Sequence, residues 1–268
     1  MLTNLVIAFR EVLEAALVIV VVLAYLRRTG QTGYYKNVWY GAAAGIILSV
    51  VSALLFNVIL GGLDGNPERI FEGITMSLAV ILLTWMIVWM MGKARIAKEL
   101  ETRVERQISM GNAFGISLLI ATAVLREGVE MVIFLQAVSL AGWTNLYGTI
   151  AGAALAITIG CLLFTGVKKI NIKMLFRSTG ILLILFAAGL SSRAVIEFQE
   201  AGIVPPVVEP LYDITWMISK DGFAGGILSS LFGYTGRPNL TEMIGYLGYL
   251  SLTYLLYKNM RKVSGIYA

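Results

Sequence analysis

The sequence holds no histidine and a single cysteine, Cys161. Those absences exclude an internal disulfide, a thiolate or imidazole zinc site and a histidine proton relay. Any metal ion bound by side chains must therefore be held by oxygen, and Cys161 reads as a small apolar residue of its helix. Charge is scarce too, at 14% of residues, and four of the five prolines (Pro205, Pro206, Pro210 and Pro238) crowd into positions 203 to 239. That stretch is also rich in glycine and reads as a loop with short helical pieces rather than a continuous helix.

What the chain has instead is apolar length. Hydrophobic residues make up 58% of 268 positions and the mean hydropathy is +0.80, too apolar for an ordinary soluble domain. Runs long enough to cross a hydrocarbon core of roughly 30 Å lie at 2–26, 38–60, 70–91, 112–137, 147–166, 174–200 and 240–258. The expected fold is an all-α integral membrane protein of seven transmembrane helices. The first run has no basic residue before Arg10 and no small-residue cleavage site leading into a soluble domain, so it is expected to stay as a helix rather than be removed as a signal.

The formal net charge of +5 is spread over short connections and forms no single patch, so no nucleic-acid partner is expected. Fifteen of the 21 basic residues fall on one side of the runs: Arg27, Arg28, Lys36; Lys93, Arg95, Lys98, Arg103, Arg106; Lys168, Lys169, Lys173, Arg177; and Lys258, Arg261, Lys262. The opposite connections carry only Arg69, Lys220 and Arg237, beside Asp64, Glu68, Glu72, Glu200, Glu209, Asp213, Asp221 and Glu242. The positive-inside rule then predicts an N-out, C-in, multi-pass protein of the cell's inner (plasma) membrane, whose acidic outer face raises the local concentration of cations. Residues 92–109 read as a solvated cytoplasmic helix, and Trp85, Met86, Trp89 and Met90 as an interfacial belt.

The two halves resemble each other. Tyr40-Gly41-Ala42-Ala43-Ala44-Gly45 in the second run is matched by Tyr147-Gly148-Thr149-Ile150-Ala151-Gly152 in the fifth, and Leu54-Leu55-Phe56 by Leu162-Leu163-Phe164. With three runs per unit, the units point in opposite directions, giving an inverted 3+3 repeat plus one extra C-terminal helix. The chain reads as a single permease domain: repeat one at about 1–92, a cytoplasmic linker at about 93–109, repeat two at about 110–200, an outer loop at 201–239 and a last helix at about 240–258. Gly41, Gly45, Gly148 and Gly152 are faces for close helix packing, within the chain or between subunits.

Chemistry is concentrated in two near-identical stretches inside apolar runs, Arg10-Glu11-Val12-Leu13-Glu14 and Arg126-Glu127-Gly128-Val129-Glu130. Arg and the second Glu of each lie about 40° apart around a helix, and the two glutamates about 60° apart, so one face presents two carboxylates beside a cation. A charge at the centre of a membrane helix costs about 2.5 to 3.5 kcal/mol, so six of them must turn inward and pair, which by default marks a transport path. Glu72 and Glu200 stand near the outer ends of their runs, where they would line an entrance, and Arg193 and Glu197 have the i,i+4 spacing of an ion pair.

At these paired Arg-Glu-x-x-Glu (REXXE) motifs the sequence resembles the oxidase-dependent iron transporters, or high-affinity iron permeases, including the bacterial Efe-type branch. Glu72-Gly73, Gln199-Glu200-Ala201-Gly202 and Gly233-Tyr234 extend the resemblance over nearly the whole chain. It implies inward iron transport, with iron as the cargo and no cofactor, and with Glu11, Glu14, Glu127 and Glu130 as the metal ligands of the transport site. Arg10 and Arg126 would tune its charge. Ferric iron is favoured as cargo because carboxylate oxygens are hard ligands. An extracytoplasmic oxidase, peroxidase or iron-delivery protein is the partner that the resemblance implies, and self-association stays open. Val12, Val129 and the short termini depart from the fungal pattern. The alternatives are a ferrous or manganous ion permease and a non-transporting, iron-sensing membrane receptor; no nucleophile, histidine or nucleotide motif supports an enzyme.

Overall fold

The computed structural model describes residues 2–60, 64–92, 96–166, 172–205, 207–208, 210–216, 225, 228–229 and 233–264. Of the residues named above, Lys93, Arg95, Lys168, Lys169, Pro206, Glu209, Lys220 and Asp221 lie outside them, as do the side chains of Trp89, Met90, Lys173, Arg261 and Lys262.

The described residues are helical, with no strand among them. In chain order the helices are α1 (Leu2–Arg28), α2 (Tyr35–Leu60, entered through a 3-10 turn at Thr32–Tyr34), α3 (Asn66–Gly92), α4 (Ile96–Ser109), α5 (Ala113–Leu140), α6 (Leu146–Thr165), α7 (Ile172–Glu200) and α8 (Leu240–Ser264). Asparagines start three of them. Asn112 Oδ1 accepts from Gly115 N at 2.9 Å, Asn145 Oδ1 from Gly148 N at 2.8 Å, and Asn239 Oδ1 from Glu242 N at 2.7 Å, so each satisfies an amide that the first turn leaves open.

Four stretches are long and apolar enough to cross a membrane: Thr32–Ile59, Asn66–Val88, Leu146–Thr165 and Met174–Glu200. α1 and α5, with 27 and 28 residues, reach about 40 Å and match them in length, but each carries three charges in its middle. α2 exposes Ile46, Ile47, Val51, Leu54, Leu55 and Val58, an apolar face that water would penalise and lipid would not.

α1 is the central element and contributes to all three buried clusters. Val6 and Ile7 pack with Met76, Leu83 and Met86 of α3, Phe134 of α5 and Leu183 and Phe186 of α7. Val22, Leu23 and Leu26 pack with α2, α4 and α5, and Phe9 and Leu13 with Ala156 of α6. Helix pairing follows an exchange: α1 lies along α6, α2 along α5, and α3 along α7, with α1 and α5 also in contact. α8 packs against α7, where Ser191 Oγ donates to the Gly245 carbonyl at 3.2 Å.

The two small-residue faces serve contacts within the chain. A Cβ on Gly45 would stand 2.7 Å from Val124 Cβ of α5, and one on Gly152 would press on the backbone of Leu5 and Phe9 in α1. Glycine there permits the approach of backbones that pairs α2 with α5 and α6 with α1.

Three expectations need correction. α4 is not solvated all round: Val104 is fully buried against α1, α2 and α5, and Leu100 and Ile108 pack beside it, while Arg28 pairs with Glu101 at 3.1 Å. Met86 is no belt residue; it is 1% exposed in the main core, whereas its neighbour Trp85 is exposed. Glu242 is not an outer-surface charge: its Oε2 accepts from the Asn239 amide at 2.8 Å, closing a buried capping box at the start of α8.

Candidate metal passage

Both motif copies lie within unbroken helices, so the spacing acts as expected and each arginine meets its own glutamates. On α1, Arg10 Nη2 stands 3.1 Å from Glu14 Oε1 and Nη1 3.5 Å from Glu11 Oε1. On α5, Arg126 Nε donates to Glu130 Oε1 at 2.9 Å and lies 3.9 Å from Glu127 Oε1.

Packing of α1 on α5 then brings the two copies together. One carboxylate oxygen from each of Glu11, Glu127 and Glu130 falls within 4.8 Å of the others. Glu14 interacts electrostatically with Glu130 and Arg126 across the same interface. Opposite ligands of a small hard cation bound at about 2.1 Å are about 4.2 Å apart, so a modest inward movement of these side chains closes the cluster on an ion.

Burial makes the cluster expensive as it stands. Glu11 is 1% exposed and Glu127 7%, and Glu11 Oε2 and Glu127 Oε2 are buried without a hydrogen-bond partner. Buried acceptors left unpaired cost roughly 1 to 3 kcal/mol each, more when charged, and a cation among them removes that cost. With four glutamates and two arginines the ionised group carries a net charge of −2.

The two arginines differ. Arg10 is 1% exposed, and its Nη1 donates to Met86 Sδ of α3 at 2.7 Å. Arg126 is 48% exposed. Sequence reasoning had no access to Met86 as a partner, because it lies 76 residues away beside a tryptophan that does face outward.

Glu72 and Glu200, placed at an entrance by the sequence, join one polar cluster where α3 meets α7. Glu72 lies within hydrogen-bond reach of Glu197. Arg69 pairs with Glu200 and, at 3.5 Å, with Glu197. The expected Arg193–Glu197 pair is present but long, at 3.9 Å to Oε1, while Arg69 approaches the other oxygen, Oε2. Arg69 was the missed member; its i,i+3 relation to Glu72 put it on the right face of α3.

Comparison with known proteins finds relatives over more than 90% of the chain. An uncharacterised protein of Archaeoglobus fulgidus is 36% identical over 260 residues, covering 94% of this chain and 92% of that one. The ferrous iron permease EfeU of Escherichia coli O157:H7 is 32% identical over 250 residues, with 91% and 90% coverage, and that of Yersinia pestis 31% over 256 residues, with 94% and 91%. No solved structure matches the chain. The sequence profile described as "Iron permease FTR1 family" matches residues 1–263. A membrane protein built on apolar helices, with two carboxylate motifs in its sequence, and matched over residues 1–263 by that profile, this chain belongs to the FTR1 iron permease family.

Proposed function

We propose that the chain moves iron ions through the cytoplasmic membrane into the cell, with Glu11, Glu14, Glu127 and Glu130 as successive or shared ligands. The observation that carries this reading is the meeting of Glu11, Glu127 and Glu130 from two separate motif copies, with buried oxygens that lack partners. The chain acts as a transporter, not an enzyme.

The seven-span, N-out inverted repeat is part of the same proposal. The pairing of α1 with α6 and α2 with α5 supports it, because exchanging the two three-helix units maps one contact onto the other. In that frame the ion is collected where Glu72, Glu197 and Glu200 meet, passes to the four motif glutamates, and leaves when the units rock open on the other side.

Two observations support the ferrous ion as cargo over the ferric ion favoured by ligand hardness. The named relatives are ferrous iron permeases, and a cluster of charge −2 balances a divalent ion. The ferric reading rests on the affinity of hard oxygen ligands for the trivalent ion and requires an extracytoplasmic oxidase, peroxidase or delivery protein to supply it.

Radioactive iron uptake into proteoliposomes of purified protein tests the proposal, with ferrous iron under ascorbate and ferric iron as citrate offered separately. Uptake of one form above empty vesicles upholds transport and fixes the cargo. Binding without uptake would make the chain a sensing receptor instead.

A further inference from the structure

The two motif copies are alike in sequence and unlike in setting. Arg10 is enclosed: its two terminal nitrogens reach Glu14, Glu11 and Met86 Sδ, and it is 1% exposed. Arg126 reaches Glu130 and Glu127 through Nε, and nearly half of its side chain is open. Moving Arg10 would strand buried carboxylates on α1 and empty a filled space beside Met86. Arg126 also faces a buried partner in Glu127, but nearly half of its own side chain already lies open, so it has room to move aside.

The carboxylates that Arg126 holds are also two of the three whose oxygens converge with Glu11. A metal ion binding there and the Arg126 guanidinium therefore compete for the negative charge of the same two carboxylates. We propose that Arg126 is a specificity-determining residue, a tethered counter-cation that the cargo ion must displace, while Arg10 is a fixed clamp that holds the α1 carboxylates in place. With both arginines engaged the cluster carries −2. With Arg126 withdrawn it carries −3, which favours a trivalent ion. The guanidinium thus sets which ionic charge the cluster accepts and lowers affinity enough for the ion to leave again.

The inference rests on the carboxylate passage proposed above, and the experiment separates the two. Purified full-length protein is titrated with manganous ion as a redox-stable divalent probe and gallium(III) citrate as a redox-inert trivalent one. Wild type, Arg126→Ala, Arg126→Gln and Arg126→Lys are compared after each is shown to be monodisperse. The expected result is that Arg126→Ala and Arg126→Gln bind both probes more tightly, with the gallium-to-manganese affinity ratio raised by about tenfold or more, whereas Arg126→Lys keeps the wild-type ratio. Millimolar guanidinium should weaken metal binding to Arg126→Ala, by refilling the vacated place, and leave wild type unaffected. In uptake assays Arg126→Ala should lower KM and kcat together, as tight binding slows release.

Unchanged or weaker binding in Arg126→Ala, or an equal response of wild type to guanidinium, overturns the role given to Arg126. Arg126→Gln alone decides the matter if Arg126→Ala does not fold. Failure of wild type to bind either probe would instead overturn the carboxylate passage itself.

Discussion

Arg10 of α1 donates through Nη1 to Sδ of Met86 on α3, 2.7 Å away, and both residues are 1% exposed. A thioether is a weak acceptor, so the contact does not balance the charge of the guanidinium; Glu11 and Glu14 do that, and Met86 fixes its direction. Met86→Leu keeps the volume and removes the acceptor. It should cost about 1 kcal/mol, whereas Arg10→Gln, which leaves two carboxylates without their cation, should cost about 3 to 5 kcal/mol. Thermal unfolding in detergent reads both, and an unchanged melting temperature in Met86→Leu would show that Met86 matters by packing alone.

Replacing a motif glutamate by glutamine keeps its shape and removes one hard anionic ligand. Glu11→Gln and Glu127→Gln should fold at wild-type yield, because each also relieves repulsion among neighbouring carboxylates. Iron uptake should fall by at least the roughly 10- to 100-fold that loss of a supporting group costs a metal site. Glu101→Gln, at the Arg28 ion pair far along the chain, should transport normally. Normal uptake by the two motif variants would remove them from the passage.

How much of this was legible beforehand differs from residue to residue. Six charges inside apolar runs admit few readings, so the pairing of Arg10 to Glu14 and Arg126 to Glu130 followed from spacing alone. Their unlike exposure did not, because identical motifs carry no information about what α3 places beside one of them. Met86 was judged by its neighbour Trp85, although adjacent residues on a helix point about 100° apart and so face different surroundings. For α4 the signal was present: Leu100, Val104 and Ile108 recur every fourth residue, an apolar stripe hidden by the surrounding charge. Asn239-x-x-Glu242 is likewise a capping box in the sequence, passed over because Glu242 was counted with the surface acids.

The glycine faces offer a steric prediction with an internal control. Gly45→Val places its Cβ against Val124, and Gly152→Val meets the α1 backbone, so α2 and α6 must both draw back from their partners. Overpacking of this kind costs roughly 1 to 3 kcal/mol, and more where backbone must shift. Gly180→Ala in α7 meets nothing within 4 Å and should stabilise by up to about 1 kcal/mol through helix propensity. Detergent-extracted yield and melting temperature distinguish them; similar behaviour of all three would mean that the close approaches are not what the glycines provide.

The loop before α8 supplies a pH dependence outside the apolar helices. Asp213 Oδ1 accepts from the Thr215 hydroxyl at 2.6 Å and the Thr215 amide at 3.0 Å, and Oδ2 lies 2.7 Å from Arg237 Nη2. These partners stabilise the ionised form, the Thr215 hydroxyl most of all, and lower the pKa of Asp213 from its ordinary 3.8 to about 2. Since the folded pKa lies below the unfolded one, the link is fully present above about pH 4, weakens as pH falls below it and is lost through about pH 2. The Thr215 amide should keep its hydrogen-exchange protection factor down to that range and lose it below. In Asp213→Asn, which cannot ionise, the factor should be lower and flat with pH. A wild-type factor that stays constant between pH 5 and pH 2 would show that Asp213 does not hold the loop.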